Sequence, residues 1–256
     1  MKTLETYKNG KISNSRRQFL GGLAVASLPL VAGCTALTEG DFNAGEVYMP
    51  AEAADALGYE EIKRETISSV ERGEVYSFDV EARLTSHFAV YDKIVEIEED
   101  VEGADVMRVS AVSSPQAVIL RNAVNPLSTL GRRALLTNPR GQWYLNRAGF
   151  EEVELGWTDG PTFVSNNRAA FLGGQERLYS VYAGTLGEGE DARVVFAHAI
   201  RVDSGDDVVL GLAVRHWPAS DMDRPYVGED GYLTDAELAA DFVAVVSAFE
   251  AIRHDT

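Results

Sequence analysis

Residues 192–217 read Ala-Arg-Val-Val-Phe-Ala-His-Ala-Ile-Arg-Val-Asp-Ser-Gly-Asp-Asp-Val-Val-Leu-Gly-Leu-Ala-Val-Arg-His-Trp. Two apolar runs, 192–203 and 207–217, flank Ser204-Gly205-Asp206, the kind of turn that joins antiparallel strands. Pairing them about Gly205 sets His198 opposite Leu212, on the face carrying Val194, Phe196, Ile200, Val208, Leu210 and Val214. His216 shares that face near Val194, about four residues along the strand. At about 3.3 Å per residue the two imidazoles are too far apart to chelate one metal. The pattern therefore predicts a core histidine at position 198.

Outward from this hairpin the chain keeps the same character. Runs 163–172 and 176–186 precede it, separated by Gly173-Gly174, with 187–190 as the next connection. Further upstream, 59–71 and 74–91 read as long strands joined around Arg72-Gly73. In the second, Val75, Phe78, Val80, Ala82, Leu84, Phe88 and Val90 alternate with polar neighbours. Residues 106–112 resume a strand, closed by Ser113-Ser114-Pro115. Pro50 to Leu57 suits a short helix ended by Gly58, and 127–137 suits another, broken at Asn138-Pro139, with a further helical stretch over 143–148. After an acidic loop over 218–231, Thr234-Asp235-Ala236-Glu237 starts a helix whose Leu238, Phe242, Val245, Val246 and Phe249 recur at helical spacing. The class expected is α+β: a mainly antiparallel β-sheet with a C-terminal helix and a mid-chain helical segment packed against it.

The amino-terminal segment has a different composition. Lys2, Lys8, Lys11, Arg16 and Arg17 precede an apolar run from Phe19 to Ala32, too short to span a bilayer comfortably. Val31-Ala32-Gly33 then leads into Cys34, the one cysteine in 256 residues. Ser15, Arg16, Arg17, Phe19 and Leu20 resemble a twin-arginine export signal, and Val31 to Cys34 resemble a lipobox. That resemblance implies cleavage before Cys34, lipidation of its sulfur, passage through the twin-arginine (Tat) translocase, and a lipid-anchored place on the extracytoplasmic face of the cell membrane. The expected organisation is a signal over 1–33, the lipidated cysteine and a flexible tether over 34–45, and one globular domain over 46–256.

From Cys34 onward the chain holds 39 acids against 18 basic residues, of which only Lys63 and Lys93 are lysines. Acid excess with scarce lysine is similar to the composition of proteins from extreme halophiles. Dense carboxylates keep a surface hydrated, and their repulsion is tolerable once salt screens it. A basic surface for nucleic acid is lacking, so that partner is excluded. Hydrophobic residues make up 45% of the chain, which suits a packed core.

Searches for chemistry return little. There is no Gly-x-Ser-x-Gly, His-Glu-x-x-His or Cys-x-x-Cys pattern. His254 lies at what reads as a frayed terminus, and His87 interrupts a strand face. The acidic groups Glu96, Glu98, Glu99 and Asp100, or Asp203, Asp206 and Asp207, miss the spacing of a calcium loop. No catalytic residue, metal or cofactor is expected. One bias stands out: between Asp105 and Glu151 no acid occurs, but six arginines do, namely Arg108, Arg121, Arg132, Arg133, Arg140 and Arg147. Arg121, Arg132, Arg133, Arg140 and Arg147 form a candidate face for an acidic protein or small anionic ligand. The alternative is that these arginines pair with the protein's own acids. In molar salt, where the Debye length is about 3 Å, only contact pairs would survive.

The order of parts resembles an uncharacterised family of haloarchaeal twin-arginine lipoproteins. The matching pieces are the signal, Leu57-Gly58-Tyr59-Glu60 before long strands, and Val112-Ser113-Ser114-Pro115-Gln116 leading to Asn125-Pro126. Strands ending in a helix like 241–249 also look similar to the Mog1/PsbP-like fold. The resemblance implies no activity. The function expected is a non-enzymatic, membrane-anchored binding or accessory module. An extracytoplasmic hydrolase-like enzyme with a site built from scattered residues, and a structural envelope component, stand as alternatives.

Overall fold

A computed structural model describes residues 39–95, 105–119, 121–146, 159–186, 193–218 and 236–255. The chain divides into compact units over 1–34 and 35–256, and the described residues belong to the second. The expected connections at 187–190 and 218–231, and the acidic group at 96–100, lie outside the described residues, apart from Pro218, which ends a strand.

An eight-stranded sheet organises the molecule. It comprises β1 (Glu39–Asn43), β3 (Glu60–Val75), β4 (Phe78–Val95), β5 (Asp105–Pro115), β8 (Asp159–Phe171), β9 (Gln175–Leu186), β10 (Arg193–Ser204) and β11 (Asp207–Pro218). The path runs β1-β4-β5-β11-β10-β9-β8, with β3 on the other edge of β4. All neighbours are antiparallel except β1, which runs parallel to β4 with Glu39 beside Glu81 and Asn43 beside Thr85. Two short pairs complete the strands among the described residues: β2 (Val47–Tyr48) with β12 (Arg253–His254), and β6 (Val118–Ile119) with β7 (Asn122–Ala123).

Helices cover both faces. One face packs Met107, Val109, Phe171, Tyr179, Phe196 and Ile200 under α5 (Ala236–Ala251), with α1 (Ala51–Leu57) beside it. The other packs Phe88, Val90, Val195, Leu210 and Leu212 under Leu127, Leu130, Leu135 and Leu136 from α2 (Pro126–Thr129) and α3 (Arg132–Thr137). α4 (Pro139–Leu145) follows the break at Asn138-Pro139. The α+β class, the C-terminal helix and the mid-chain helical segment stand as expected.

Three local expectations are corrected. The β10–β11 register is one residue away from the symmetric pairing about Gly205: His198 pairs with Ala213, not Leu212, and His216 with Val195. The turn holds two residues, with Gly205 at φ +62° where a type II′ turn places its glycine. A one-residue slip exchanges faces, so Val208, Leu210 and Val214 lie against α2 and α3, away from His198. The β3–β4 turn falls at Tyr76-Ser77, not Arg72-Gly73, which sit within β3. Residues 39–43, read as tether, form β1 and add a row of hydrogen bonds to β4.

Candidate functional site

The densest polar cluster lies where β5, the β10–β11 turn and β12 meet. His254 Nε2 lies 3.0 Å from Asp207 Oδ2 and 3.0 Å from Ser113 Oγ, and its Nδ1 lies 3.2 Å from Ser204 Oγ. A carboxylate only accepts, so Nε2 carries a hydrogen, and in the neutral ring Nδ1 accepts from Ser204. Asp207 Oδ2 also accepts from Gly45 N at 2.8 Å. His254 is thus pinned, not frayed: its side chain is 1% exposed, and β12 pairs it with Val47. A Cβ on Gly45 would fall 1.5 Å from Asp255 O, so only glycine allows the chain to pass here.

The same network takes in the run 112–116 and Asn125-Pro126. Ser114 Oγ meets Ser86 Oγ at 2.8 Å and accepts from Asn125 Nδ2, which also donates to Pro115 O. Asn125 Oδ1 accepts from Leu127 N and so caps α2, with Pro126 at its first position. Gln116 donates its backbone N–H to Asp206 O and its side-chain amide to Asp207 O. The motif is a polar node joining a sheet end, a helix start and the 253–255 segment. Leu57-Gly58-Tyr59-Glu60 is likewise architectural: Gly58 closes α1 at φ +74°, and buried Tyr59 donates to Met107 Sδ at 3.1 Å.

A hydroxyl and a carboxylate, Ser204 and Asp207, do flank opposite nitrogens of His254, as a nucleophile and an orienting acid would. The imidazole is sealed from solvent, however, and Asp207 already holds a backbone N–H. Chemically, the arrangement is a clamp. Among the described residues no group of three or more His, Cys, Asp or Glu side chains is placed to hold a metal ion.

His198 is buried between Tyr179 and Phe242, its ring centroid 5.9 Å and 4.8 Å from theirs. Among the described residues its Nδ1 has no hydrogen-bond partner. Burial drives its pKa from 6.5 down to about 3. Between those values the unfolded chain binds a proton that the folded ring refuses, so stability falls as pH falls through that window. Urea unfolding at pH 7 and pH 5 should show a loss about 2 kcal/mol larger in the wild type than in His198→Leu, which removes the titration. His87 lies on β4, its Nδ1 3.2 Å from Thr66 Oγ1 in an exposed pair.

The arginines divide. Arg108, half-buried, binds Asp92 through two nitrogens, each at 2.8 Å, as an internal pair. Arg132 donates to Leu178 O at 2.7 Å, tying α3 to β9. Arg133 is exposed on α3, and Arg121 is exposed in the β6–β7 turn at φ +66°. Arg140 lies on α4, and Arg147 is outside the described residues. Arg121 and Arg132-Arg133 thus stand on separate elements. A cleft of about 350 Å³ opens beside the β3–β4 tip, lined by residues that include Glu71, Arg72, Tyr76 and Asn122.

The fold and its node define a class: a sheet-centred α+β domain whose most elaborate polar cluster holds the chain together. The chain belongs to a family described as a domain of unknown function (DUF6517), which matches residues 46–248. No curated protein matches it in sequence. A partial structural likeness links it to the crystal structure of LpqN, involved in cell envelope biogenesis of Mycobacterium tuberculosis. Identity is 10% and the TM-score 0.33, over 82% of this chain and 98% of that chain.

Proposed function

We propose that this chain is an exported lipoprotein of a halophilic archaeon, held through Cys34 on the extracytoplasmic face of the membrane as a non-enzymatic binding or accessory module. The observation that carries the reading is the joined signal itself: Arg16-Arg17, the apolar run, and Val31-Ala32-Gly33 before the one cysteine. Two further facts support it. No helix among the described residues is long and apolar enough to cross a membrane, so a covalent lipid would supply the attachment. The polar cluster with the most chemistry in it is spent on holding the fold. Arg121 and Arg133, with Arg132, Arg140 and Arg147, remain the candidate contact for an acidic protein or small anionic ligand.

The test is fractionation of cells expressing the full chain. Wild type should pellet with membranes and incorporate a labelled lipid precursor. Cys34→Ser should lose the label and appear in the medium or soluble fraction. Arg16→Lys with Arg17→Lys should leave the unprocessed chain in the cytoplasm. Membrane retention of Cys34→Ser without label would overturn the anchor.

A further inference from the structure

We infer that the tip of the β3–β4 hairpin is a membrane-contact element, with Tyr76 and Phe78 entering the headgroup layer beside the anchored Cys34. This inference rests on the anchor reading above.

The turn is costly by design. Tyr76 and Ser77 hold φ +51° and +68°, a conformation that hairpins normally give to asparagine or glycine, and each costs about 1 kcal/mol or more in a non-glycine residue. The strained pair presents an aromatic ring to solvent: Tyr76 is 75% exposed and Phe78 is 55% exposed. Tyrosine and phenylalanine at a projecting tip suit a membrane interface, with an apolar body and, for tyrosine, a polar end.

The chain's path says where the tip points. β1 runs parallel to β4, so it enters the sheet from the tip side, with Glu39 beside Glu81. Four residues lie between Cys34 and Glu39, so five Cα-to-Cα steps give a reach of about 17 Å at full extension. From Glu81 to Ser77 the hairpin projects about 13 Å back toward the anchor. With the tether extended along the hairpin direction, the remaining gap of about 4 Å is less than a headgroup layer about 5–7 Å deep, so the tether allows the tip to reach the lipid. Glu71, Glu74, Asp79 and Glu81 flank the tip, with Arg72 and Arg83 paired to Glu81, and the excess is acidic, so apolar contact, not charge attraction, drives docking. In molar salt, screening over about 3 Å removes most of their repulsion from anionic headgroups.

The experiment uses the chain from Cys34 onward, coupled through that sulfur to a maleimide lipid in phosphatidylcholine vesicles in molar KCl. One variant carries Tyr76→Trp. Another carries Ile94→Trp, on the same strand about 50 Å from the tip and 69% exposed. The wild-type chain supplies the background from Trp143, Trp157 and Trp217, and matching far-ultraviolet spectra establish that all three fold alike. Lipids brominated in the acyl chains should quench the added emission at position 76 by about half and leave that at position 94 unchanged. Equal quenching at both positions, or none at 76, overturns the inference, including in favour of a protein partner for the tip. Because the coupling supplies the anchor chemically, failure here is separate from failure of Cys34 lipidation in cells.

Discussion

Asp207→Ala is expected to lower the free energy of unfolding by about 2–4 kcal/mol, read by urea titration in molar salt. The carboxylate is nearly sealed and serves two donors at once, Gly45 N at 2.8 Å and His254 Nε2 at 3.0 Å. Alanine leaves the first without an acceptor and the second with Ser113 alone. Buried donors without partners cost about 1–3 kcal/mol each, more than the bonds themselves contribute when made. Both donors meet the same oxygen, Oδ2, so Asp207→Asn with its amide oxygen in that place keeps both bonds, loses only the strengthening that the charge gives them, and should cost clearly less than Asp207→Ala. Equal stability of wild type and Asp207→Ala would mean that the node does not hold the fold.

Phe249→Ala should cost about 3–5 kcal/mol in the same titration. The ring is fully buried on α5 and meets Phe171 and Tyr179 edge-on, at 5.8 Å and 5.9 Å between centroids. Beneath it lies Gly211, where a Cβ would come within 3.2 Å of Phe249 Cε1 and 2.7 Å of Ile200 Cγ2. The helix sits this close to the sheet because β11 offers no side chain there, and truncation leaves a cavity that neighbours this tightly placed cannot fill. Val243→Ala, on the same helix but 65% exposed, should change stability by less than about 0.5 kcal/mol. A similar loss at both positions would place the helix off the sheet.

Much of this fold was legible in the sequence, and the failures have physical causes. Strand positions from β8 to β11 followed from β-branched runs between glycine turns, and α5 from its helical stripe. The β10–β11 register was missed because both faces of these strands are buried. Val195 to Ile200 and Val208 to Val214 are apolar or aromatic on both parities, except for His198 and Gly211, so alternation carries no signal. The β3–β4 turn was misplaced because Arg72-Gly73 carries the stronger turn signal, whereas the chain bends at two residues that pay for positive φ. β1 was missed because Glu-Gly-Asp-Phe-Asn has almost no strand character by itself; its place is set by the edge of β4. The polar node was invisible because Gly45, Ser113, Asp207 and His254 are each ordinary in sequence. The run 112–116 and Asn125-Pro126 did stand out, but as a resemblance, without the reason the hydrogen bonds supply.

The node has a consequence for how long the molecule lasts. Its bonds join residues 141 and 162 positions apart: Ser113 with His254, and Gly45 with Asp207. Closing such long loops costs chain entropy, so these bonds are expected to form after the folding barrier; faster unfolding of Asp207→Ala with unchanged refolding would show it. Interactions made only after that barrier must be broken before it can be recrossed, and they therefore slow unfolding without speeding assembly. One cysteine leaves no internal disulfide to do this work. The node is a noncovalent staple in its place, and its expected effect is on the lifetime of the folded state.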